Sequence, residues 1–217
     1  MNKPFIIAID GLAASGKGTL AKLLAQELNF HFLPTGNIYR LIGKLLINSK
    51  TELNDISSII KIAHTPIKLY DLLDYSLNNE KIAKVASRIA TIPEVREILT
   101  KFQQEFAANN YPGVVLEGRD IGTVVCPNAN IKFFITANLE VRARRRYQEL
   151  HKNEPNLLYS DIIKNMQDRD ERDKNRAISP LIPAPDAIII DNSNLSIENS
   201  LKYILSFIPQ TVKYTNI

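Results

Sequence analysis

An apolar run, a glycine-bearing loop and a leucine-rich segment follow one another near the start of this chain. The run Phe5–Asp10 has the composition of a buried strand, and the segment after Lys17 repeats leucine at helical spacing. Between them, Gly11 to Thr19 read GLAASGKGT. Gly11 and Gly16 allow backbone angles that turn N–H groups inward, Lys17 adds a positive charge, and the helix start adds its dipole. The combination predicts a phosphate-binding loop; the alternative is a simple glycine turn.

Beyond this start, apolar runs alternate with segments of helical periodicity. Strands are predicted at Phe5–Asp10, His31–Leu33, Val114–Leu116, Ile131–Thr136 and Ala187–Ile190. Helices are predicted at Lys17–Leu28, Gly36–Ile47, Asp55–Ala63, Glu80–Ile89, Glu94–Ala108, Glu140–Leu150, Asp161–Lys174 and from the N-cap Ser196 to about Phe207. Residues 67–77 fit neither pattern, and the tail after Pro209 is expected to be loosely held. The alternation predicts an α/β fold, a parallel sheet with helices on both faces.

Length and composition limit the classes of protein that remain. The 217 residues suffice for one core with small excursions, and no apolar run approaches the roughly 18 residues of a membrane span. Residues 1–4 lead directly into the first strand, so we expect no signal peptide. The single cysteine, Cys126, excludes an internal disulfide and does not combine with the three histidines at zinc-ligand spacing. We expect a cytoplasmic protein without a membrane partner.

The net charge of +4 and the pI near 9.1 indicate a partner that is an anion. A nucleic-acid-binding protein would interleave aromatic and basic residues, and the segments around Arg142 and Arg169 contain few aromatics. Small anionic nucleotides account for the charge better, so no nucleic-acid partner is expected.

Two further segments follow predicted strands and therefore face the same crevice as the glycine loop. After the second strand, Thr35 and Arg40 are candidates to hold a second phosphate; the alternative is a helix cap beside a solvated arginine. After the third strand comes Glu117, followed by Arg119 and Asp120. An acid there is a candidate to hold Mg²⁺ or its waters, because this ion keeps several waters and shares phosphate oxygens. The alternative is a turn with an ion pair.

Two predicted helices carry arginine at helical spacing. One holds Arg142, Arg145 and Arg146; the other holds Arg169, Arg172, Asp173 and Arg176. Such runs are often only solvated faces. Phosphoryl transfer offers another explanation, since its transition state spreads negative charge over several oxygens that guanidinium groups bind as forks.

Together these segments resemble the bacterial cytidylate kinases, a family of P-loop nucleoside monophosphate kinases. The loop alone is shared by many nucleotide-binding proteins, although its GKGT ending is typical of monophosphate kinases. More specific are the segments that follow the family's order: Thr35-Gly36 with Tyr39-Arg40, Val85-Ala86-Ser87, Pro93-Glu94-Val95-Arg96, LEGRDIGTVV at 116–125, and RDxRDxxR at 169–176.

The resemblance implies a P-loop NTPase-type sheet and transfer of the γ-phosphoryl group of ATP to CMP or dCMP, with Mg²⁺, in a monomer. It assigns ATP binding to Gly11, Leu12, Ala13, Ala14, Ser15, Gly16, Lys17, Gly18 and Thr19. It assigns CMP binding to Thr35, Arg40, Ser87, Arg96, Arg119, Asp120, Arg169, Asp173 and Arg176. It assigns catalysis to Lys17, Arg119, Arg142, Arg146 and Arg169, and possible Mg²⁺ ligation to Thr19 and Glu117.

The same resemblance implies one domain over residues 1–217. Its core would comprise about 1–37, 112–150 and 175–210, with a monophosphate-binding excursion at about 38–111 and a lid at about 151–174. Two departures stand out: Pro34 replaces a common aspartate, and residues 63–85 lack a β-hairpin pattern. Adenylate or shikimate kinases, which would lack the set Ser87, Arg96 and Asp120, and a regulatory P-loop module remain as alternatives.

Overall fold

A computed structural model describes residues 3–151 and 157–213. Within these ranges, five strands form one parallel sheet in the order β2-β3-β1-β4-β5. The strands are β1 (Phe5–Gly11), β2 (His31–Pro34), β3 (Gly113–Gly118), β4 (Ile131–Thr136) and β5 (Ile188–Asp191). Each predicted strand is confirmed, and so is the parallel α/β fold.

Helices flank the sheet, and all those predicted are present with small shifts at their ends. They are α1 (Lys17–Glu27), α2 (Thr35–Asn48), α3 (Ile56–Ala63), α4 (Glu80–Ile89), α5 (Pro93–Asn109), α6 (Leu139–His151), α7 (Tyr159–Asn175), α8 (Ile197–Ser206) and α9 (Gln210–Lys213). The predicted N-caps Asp55 and Ser196 accept backbone N–H groups of α3 and α8. None of the helices in the described part of the chain is long and apolar enough to cross a membrane.

Three segments have secondary structure that the sequence did not predict. The undecided stretch 67–77 forms two 3₁₀ turns, Leu69–Leu73 and Tyr75–Leu77. In the tail, Gln210–Lys213 form α9, and Val212 packs against the core, whereas residues 214–217 lie outside the described residues. Ile121–Val125 forms one π-helical turn. Sequence periodicity did not reveal it, because five residues ending in two valines do not show a helical repeat.

Apolar side chains fill both faces of the sheet. On one face, Ile7 and Ile9 of β1 pack with α1 and α8. On the other face, Ala8 packs beneath α2, α3 and α5. Fully burying a leucine or isoleucine side chain contributes about 1.5–3 kcal/mol. Because β1 is buried on both faces and paired on both edges, it fixes the position of the loop that follows it.

The carboxyl ends of β1, β2 and β3 lie at the same edge of the sheet. Ile9 of β1 and Pro34 of β2 are both in register with Glu117 of β3. The segments that follow these strands therefore begin side by side. Helices α6 and α7 cover the same edge, since their shared apolar cluster, Ala143, Leu150, Ile162 and Met166, also contacts Ala14 of the glycine loop. The sheet thus brings the predicted phosphate-binding segments together.

Gly11 is the point at which the chain leaves β1, and no side chain fits there. Its φ is +148°, and a Cβ atom would lie 2.0 Å from the carbonyl oxygen of Ile135. The backbone of β4 cannot move away, because β4 is paired on both sides. Glycine at this position is a requirement of packing as well as of the turn.

We expect Gly11→Ala to lower the free energy of unfolding by at least ~1–3 kcal/mol, because it combines a strained φ with a backbone collision. Thermal denaturation measures the effect. Gly36→Ala is the matched control: a Cβ atom there meets nothing within 4 Å, so stability should stay the same or rise by up to about 1 kcal/mol. Equal melting temperatures for Gly11→Ala and the wild type would contradict this packing argument.

Candidate active site

The glycine loop joins β1 to α1 and leaves backbone donors open. Gly16 takes a φ of +91° and Ala14 a φ of +55°. As N-cap of α1, Gly16 offers no side chain to the first N–H groups of the helix. The hydroxyl of Ser15 is buried and has no hydrogen-bond partner among the described residues. Free donors at a helix start form a site for an anion such as phosphate.

Lys17, the first residue of α1, points its ammonium group into the edge of the sheet. Its Nζ lies 3.0 Å from Oε1 of Glu117 and donates to the carbonyl oxygen of Leu12 at 3.2 Å. Burial, with the nearby charge of Arg119, lowers the pKa of Lys17 to about 8, and Glu117 only partly opposes this. Burial disfavours the charge of Glu117 too, but Lys17 and Arg119 hold its pKa below the ordinary value. An added anion would stabilise the charged form of Lys17.

A cavity of about 480 Å³ opens between the glycine loop, α2, α6 and α7. Its walls carry six cationic side chains from five segments of the chain: Lys17, Arg40, Arg119, Arg145, Arg146 and Arg169. Five of these six are predicted from the sequence to belong to the site, whereas Arg145 is predicted only to share a helix face with Arg142 and Arg146. So many cations around one cavity are unfavourable unless acids or bound anions offset them.

Asp173 is the counter-ion of two of these arginines. It is buried, and its Oδ2 lies 3.1 Å from Nε of Arg119 and 3.8 Å from Nε of Arg169. The alternative of a solvated helix face is therefore wrong for Asp173. Burial lowers the pKa of Arg169, and the charge of Arg119 lowers it further. An additional anion in the cavity would therefore stabilise the charged form of Arg169.

Arg146 is held by two glutamates. Its Nε and Nη2 donate to Oε1 of Glu80 at 2.9 and 2.6 Å, and its Nη1 donates to Oε2 of Glu149 at 2.8 Å. Arg146 is 9% exposed, so a merely solvated helix face does not describe it. The pairs fix its guanidinium group at the cavity wall.

Arg40 reaches the cavity from α2. It donates to the carbonyl oxygen of Leu77 at 2.7 Å and to Oδ1 of Asn78 at 3.1 Å. Burial, followed by the charges of Arg169 and Arg146, lowers its pKa to about 10. The alternative of a solvated arginine is therefore wrong for Arg40. Thr35, at the start of α2, is buried and donates to the carbonyl oxygen of Glu117 at 2.8 Å, which ties the ends of β2 and β3 together.

Arg96, Asp120 and Arg176 form a second polar cluster. Arg96 and Asp120, both buried, form a hydrogen-bonded ion pair through Nη2 and Oδ2. Arg176, which follows the end of α7, approaches Oδ1 of Asp120 to 3.8 Å. Ser87 accepts from Nη1 of Arg172 at 2.7 Å. Ser87 also lines a neighbouring cavity of about 410 Å³ that shares Arg169 with the first.

Arg142 is buried beneath the glycine loop and does not line the main cavity. Its Nε donates to the carbonyl oxygen of Ala137 at 2.8 Å and its Nη1 to that of Ala13 at 3.3 Å. Asp170 of α7 pairs with it at 2.7 Å. Helical spacing correctly joins Arg142 to Arg146, but the packing of α7 gives the two side chains different surroundings.

Comparison with known proteins assigns the family. The sequence profile of the family described as cytidylate kinase matches residues 7–210. This chain belongs to the cytidylate kinase family. Curated cytidylate kinases from Paramagnetospirillum magneticum and Bartonella bacilliformis are 45% and 46% identical to it over 205 and 211 residues. The alignments cover 94% and 97% of this chain and 97% of each relative.

A solved structure agrees with the fold. An uncharacterized protein from Eubacterium ventriosum aligns with a TM-score of 0.51 and 16% identity, covering 94% of this chain and 98% of its own. This likeness concerns the fold alone. The cytidylate kinase assignment confirms the predicted resemblance and the prediction of a phosphotransferase. The family assignment favours a cytidylate kinase over an adenylate or shikimate kinase and over a regulatory P-loop module.

One buried polar residue in the described wall of this kinase's cavity was not predicted from the sequence. Asn192 follows β5, donates from Nδ2 to the carbonyl oxygen of Ser15 at 2.8 Å and accepts from Ser200. Its backbone oxygen accepts from Arg145 at 2.8 Å. The rule that ligands gather beyond the carboxyl ends of parallel strands was a usable signal for it. Glu80 carried no comparable signal, because its partner Arg146 is distant in the chain.

We expect Asp173→Asn to lower kcat/KM for phosphoryl transfer about tenfold or more, because Arg119 and Arg169 lose their shared anionic acceptor. The melting temperature should fall as well, since removing one partner of a buried ion pair costs up to about 3–5 kcal/mol. Steady-state kinetics and thermal denaturation measure the two effects.

Glu198→Gln is the control for this substitution. It removes an exposed ion pair of the same i,i+4 spacing, with Lys202 at 2.7 Å. Both quantities should stay close to those of the wild type, with kcat/KM within about twofold. If Asp173→Asn behaved like this control, Asp173 would have no role in the site.

Proposed function

We propose that the cavity at the carboxyl edge of the sheet performs the family reaction, transfer of the γ-phosphoryl group of ATP to CMP or dCMP, giving CDP or dCDP and ADP. The observation that carries this assignment is the convergence of Lys17 and five arginines on one cavity that also contains the open donors of α1. Phosphoryl transfer depends on positioning and on stabilising negative charge, and this cavity supplies both.

ATP lies with its phosphates on the loop Gly11–Thr19, so that backbone N–H groups bind the oxygens and Lys17 neutralises the outer phosphates. Arg119, Arg146 and Arg169 stabilise the charge that develops on the transferred group. These side chains stand ready because Asp173, Glu80 and Glu149 already hold them at the wall. Arg142 acts through the loop, by donating to the carbonyl oxygen of Ala13.

CMP occupies the side of the cavity formed by α2, α4 and α7. Its phosphate is bound by Arg40, Arg119, Arg169 and Arg176, with Thr35 at the base of the site, and its sugar meets Asp173. The cytosine ring is read by Ser87, Arg96 and Asp120. Asp120 accepts from the exocyclic amine, and Arg96 donates to the ring. The contact between Arg96 and Asp120 sets the spacing of a donor and an acceptor that match the edge of cytosine.

Mg²⁺ accompanies ATP in this proposal. No cluster of three or more histidine, cysteine, aspartate or glutamate side chains that could hold a metal occurs in the described part of the chain. Mg²⁺ does not need one, because it keeps several waters and is held mainly by phosphates. Thr19 and Glu117, both at the cavity wall, fit as its protein ligands. When bound, the ion neutralises phosphate charge.

We infer a monomer that works in the cytoplasm, with one domain divided as the sequence predicts. The core spans about 1–37, 112–150 and 175–210, and the monophosphate-binding excursion spans about 38–111. The lid, at about 151–174, closes over the phosphates and excludes water that would otherwise accept the phosphoryl group. Residues 152–156 of this lid lie outside the described residues; the remainder includes most of α7, which packs against α6.

A coupled assay of ADP release, with CMP, dCMP, UMP, AMP and shikimate as acceptors, tests the proposal. We expect turnover with CMP and dCMP. In Lys17→Met, turnover should fall at least about a hundredfold, because the variant lacks the charge that neutralises the outer phosphates. Far-UV circular dichroism checks that the variant is folded. Near-normal turnover in folded Lys17→Met would overturn the assignment of the site.

Recognition of the base by Asp120 leads to a separate prediction. Uracil presents a carbonyl group where cytosine has an amine, so Asp120 would face an acceptor. We expect kcat/KM for CMP to exceed that for UMP by about 10²-fold or more in the wild type. Asp120→Asn should reduce this ratio, because the amide offers a donor to uracil. Asp186→Asn is the control and should keep the ratio, since the exposed carboxylate of Asp186 pairs with the buried Lys132 and not with the cavity residues. An unchanged ratio in Asp120→Asn would remove Asp120 from base recognition.

A further inference from the structure

Asp10, the penultimate residue of β1, carries a buried side chain that the proposed reaction does not use. It is 4% exposed, and its two oxygens accept separate backbone hydrogen bonds. Oδ1 accepts from the N–H of Ile121 at 2.8 Å, and Oδ2 accepts from the N–H of Gly122 at 2.7 Å. The contact joins segments more than a hundred residues apart in the chain. A carboxylate with one donor on each oxygen makes two strong, directional bonds.

The two N–H groups belong to the residues that directly follow Asp120. They open the π-helical turn Ile121–Val125, in which the N–H groups of Val124 and Val125 donate to the carbonyl oxygen of Asp120 at 2.9 and 3.1 Å. Asp120 is therefore fixed from one side by its own turn and, through the next two residues, by Asp10. Short π turns offer poor internal hydrogen bonding at their starts, so an external acceptor matters there.

The strand that carries Asp10 is the central strand of the sheet. Asp10 is in register with Gly118 of β3 and with Phe134 of β4, and Gly11 next to it contacts the backbone of Ile135. The side chain thus projects from a fixed backbone. Whatever it binds is held at a constant distance from the loop that receives the ATP phosphates.

We propose that Asp10 is a positioning residue for base selection, which holds the Asp120 turn at the depth where its carboxylate meets the exocyclic amine of the monophosphate acceptor. This inference rests on the proposed function, because it takes Asp120 as the group that reads the base. Asp10 touches neither nucleotide. It acts through the N–H groups of Ile121 and Gly122, and so links the root of the ATP loop to the recognition of the second substrate.

The other side of the same turn offers a comparison. Lys132 packs on Gly122, where a Cβ atom would lie 3.0 Å from its Cδ, and its Nζ donates to Pro127 and to Asp186 at 2.6 and 2.9 Å. This contact fills space beside the turn but does not bind its N–H groups. Weakening it should therefore affect stability and leave the position of Asp120 nearly unchanged.

The test is Asp10→Asn in the otherwise intact chain. The amide keeps the shape of the side chain but turns one acceptor into a donor that opposes an N–H group. We expect kcat/KM for CMP to fall about tenfold or more, through a higher KM for CMP, because small displacements of a binding group are costly. The ratio of kcat/KM for CMP to that for UMP should fall about fivefold or more, while KM for ATP stays within about twofold.

The assay is run at a pH of about 8. Burial raises the pKa of Asp10 to about 7, so its carboxylate is mostly ionised at about this pH, and bound phosphates keep Lys17, whose own pKa is lowered to about 8, in its charged form. Asp186→Asn, which weakens the contact on the opposite side of the turn, is the matched control. It should leave both the CMP to UMP ratio and KM for CMP within about twofold of the wild type. Asp10→Ser, which retains one acceptor in a smaller side chain, is the second variant if Asp10→Asn does not fold; an intermediate loss of selectivity is expected.

The outcomes separate this inference from the proposed function. A wild type that uses CMP and UMP equally would overturn the assignment of Asp120 and the proposed function with it. A selective wild type, combined with variants of Asp10 that lose activity equally with CMP and UMP at an unchanged CMP to UMP ratio, would overturn the positioning role and leave the proposed function standing. A lower ratio in Asp10→Asn, with the ratio intact in Asp186→Asn, would support it.

Discussion

The parallel pairing of β1 with β3 and β4 is the constraint on which the active cleft depends. It buries β1 on every side, so the chain leaves the sheet at Gly11 in one position only, against the backbone of Ile135. Because β2 and β3 run in the same direction, the segments after Pro34 and Gly118 leave beside it. Each of these segments supplies groups that would otherwise be far apart in the chain. The geometry of the cleft is therefore a property of strand register more than of any single loop.

Electrostatics accounts for the arrangement of charges around that edge. Six cationic side chains share one cavity, and burial lowers the pKa of Lys17 to about 8 and that of Arg40 to about 10. In the protein alone, Glu80, Glu117 and Asp173 hold four of these cations in place: Lys17, Arg119, Arg146 and Arg169. Preorganised charge of this kind is more effective in catalysis than charge that must be assembled during the reaction. In the proposed function, the cationic side chains therefore do not need to be assembled when the nucleotide phosphates bind.

The buried pair of Arg96 and Asp120 contributes to the site in a different way from the cavity cations. Removing both charges from water costs several kcal/mol per ion, which their attraction offsets only with good geometry, so such a pair is weak support for stability. In the function we propose, its value lies in specificity, because a donor and an acceptor fixed side by side penalise a base with the wrong pattern. The buried carboxylate of Asp10 also contributes to position more than to stability, because it fixes two backbone N–H groups of the turn after Asp120.

The sequence by itself determined the order of strands and helices, the phosphate loop and the family, because apolar period, glycine placement and short motifs are local properties. It also named five of the six cations of the cavity. Lys17, Arg40 and Arg119 follow parallel strands that end at one edge. Arg146 and Arg169 were named from arginine spacing on helices and from the family resemblance. Only the tertiary structure decided that Arg142 lies beneath the loop while Arg146 lines the cavity, that Asn192 joins the wall and that Asp10 anchors the π-helical turn. Those outcomes depend on how α7 packs and on contacts between distant segments, and no local pattern encodes the surroundings of a side chain.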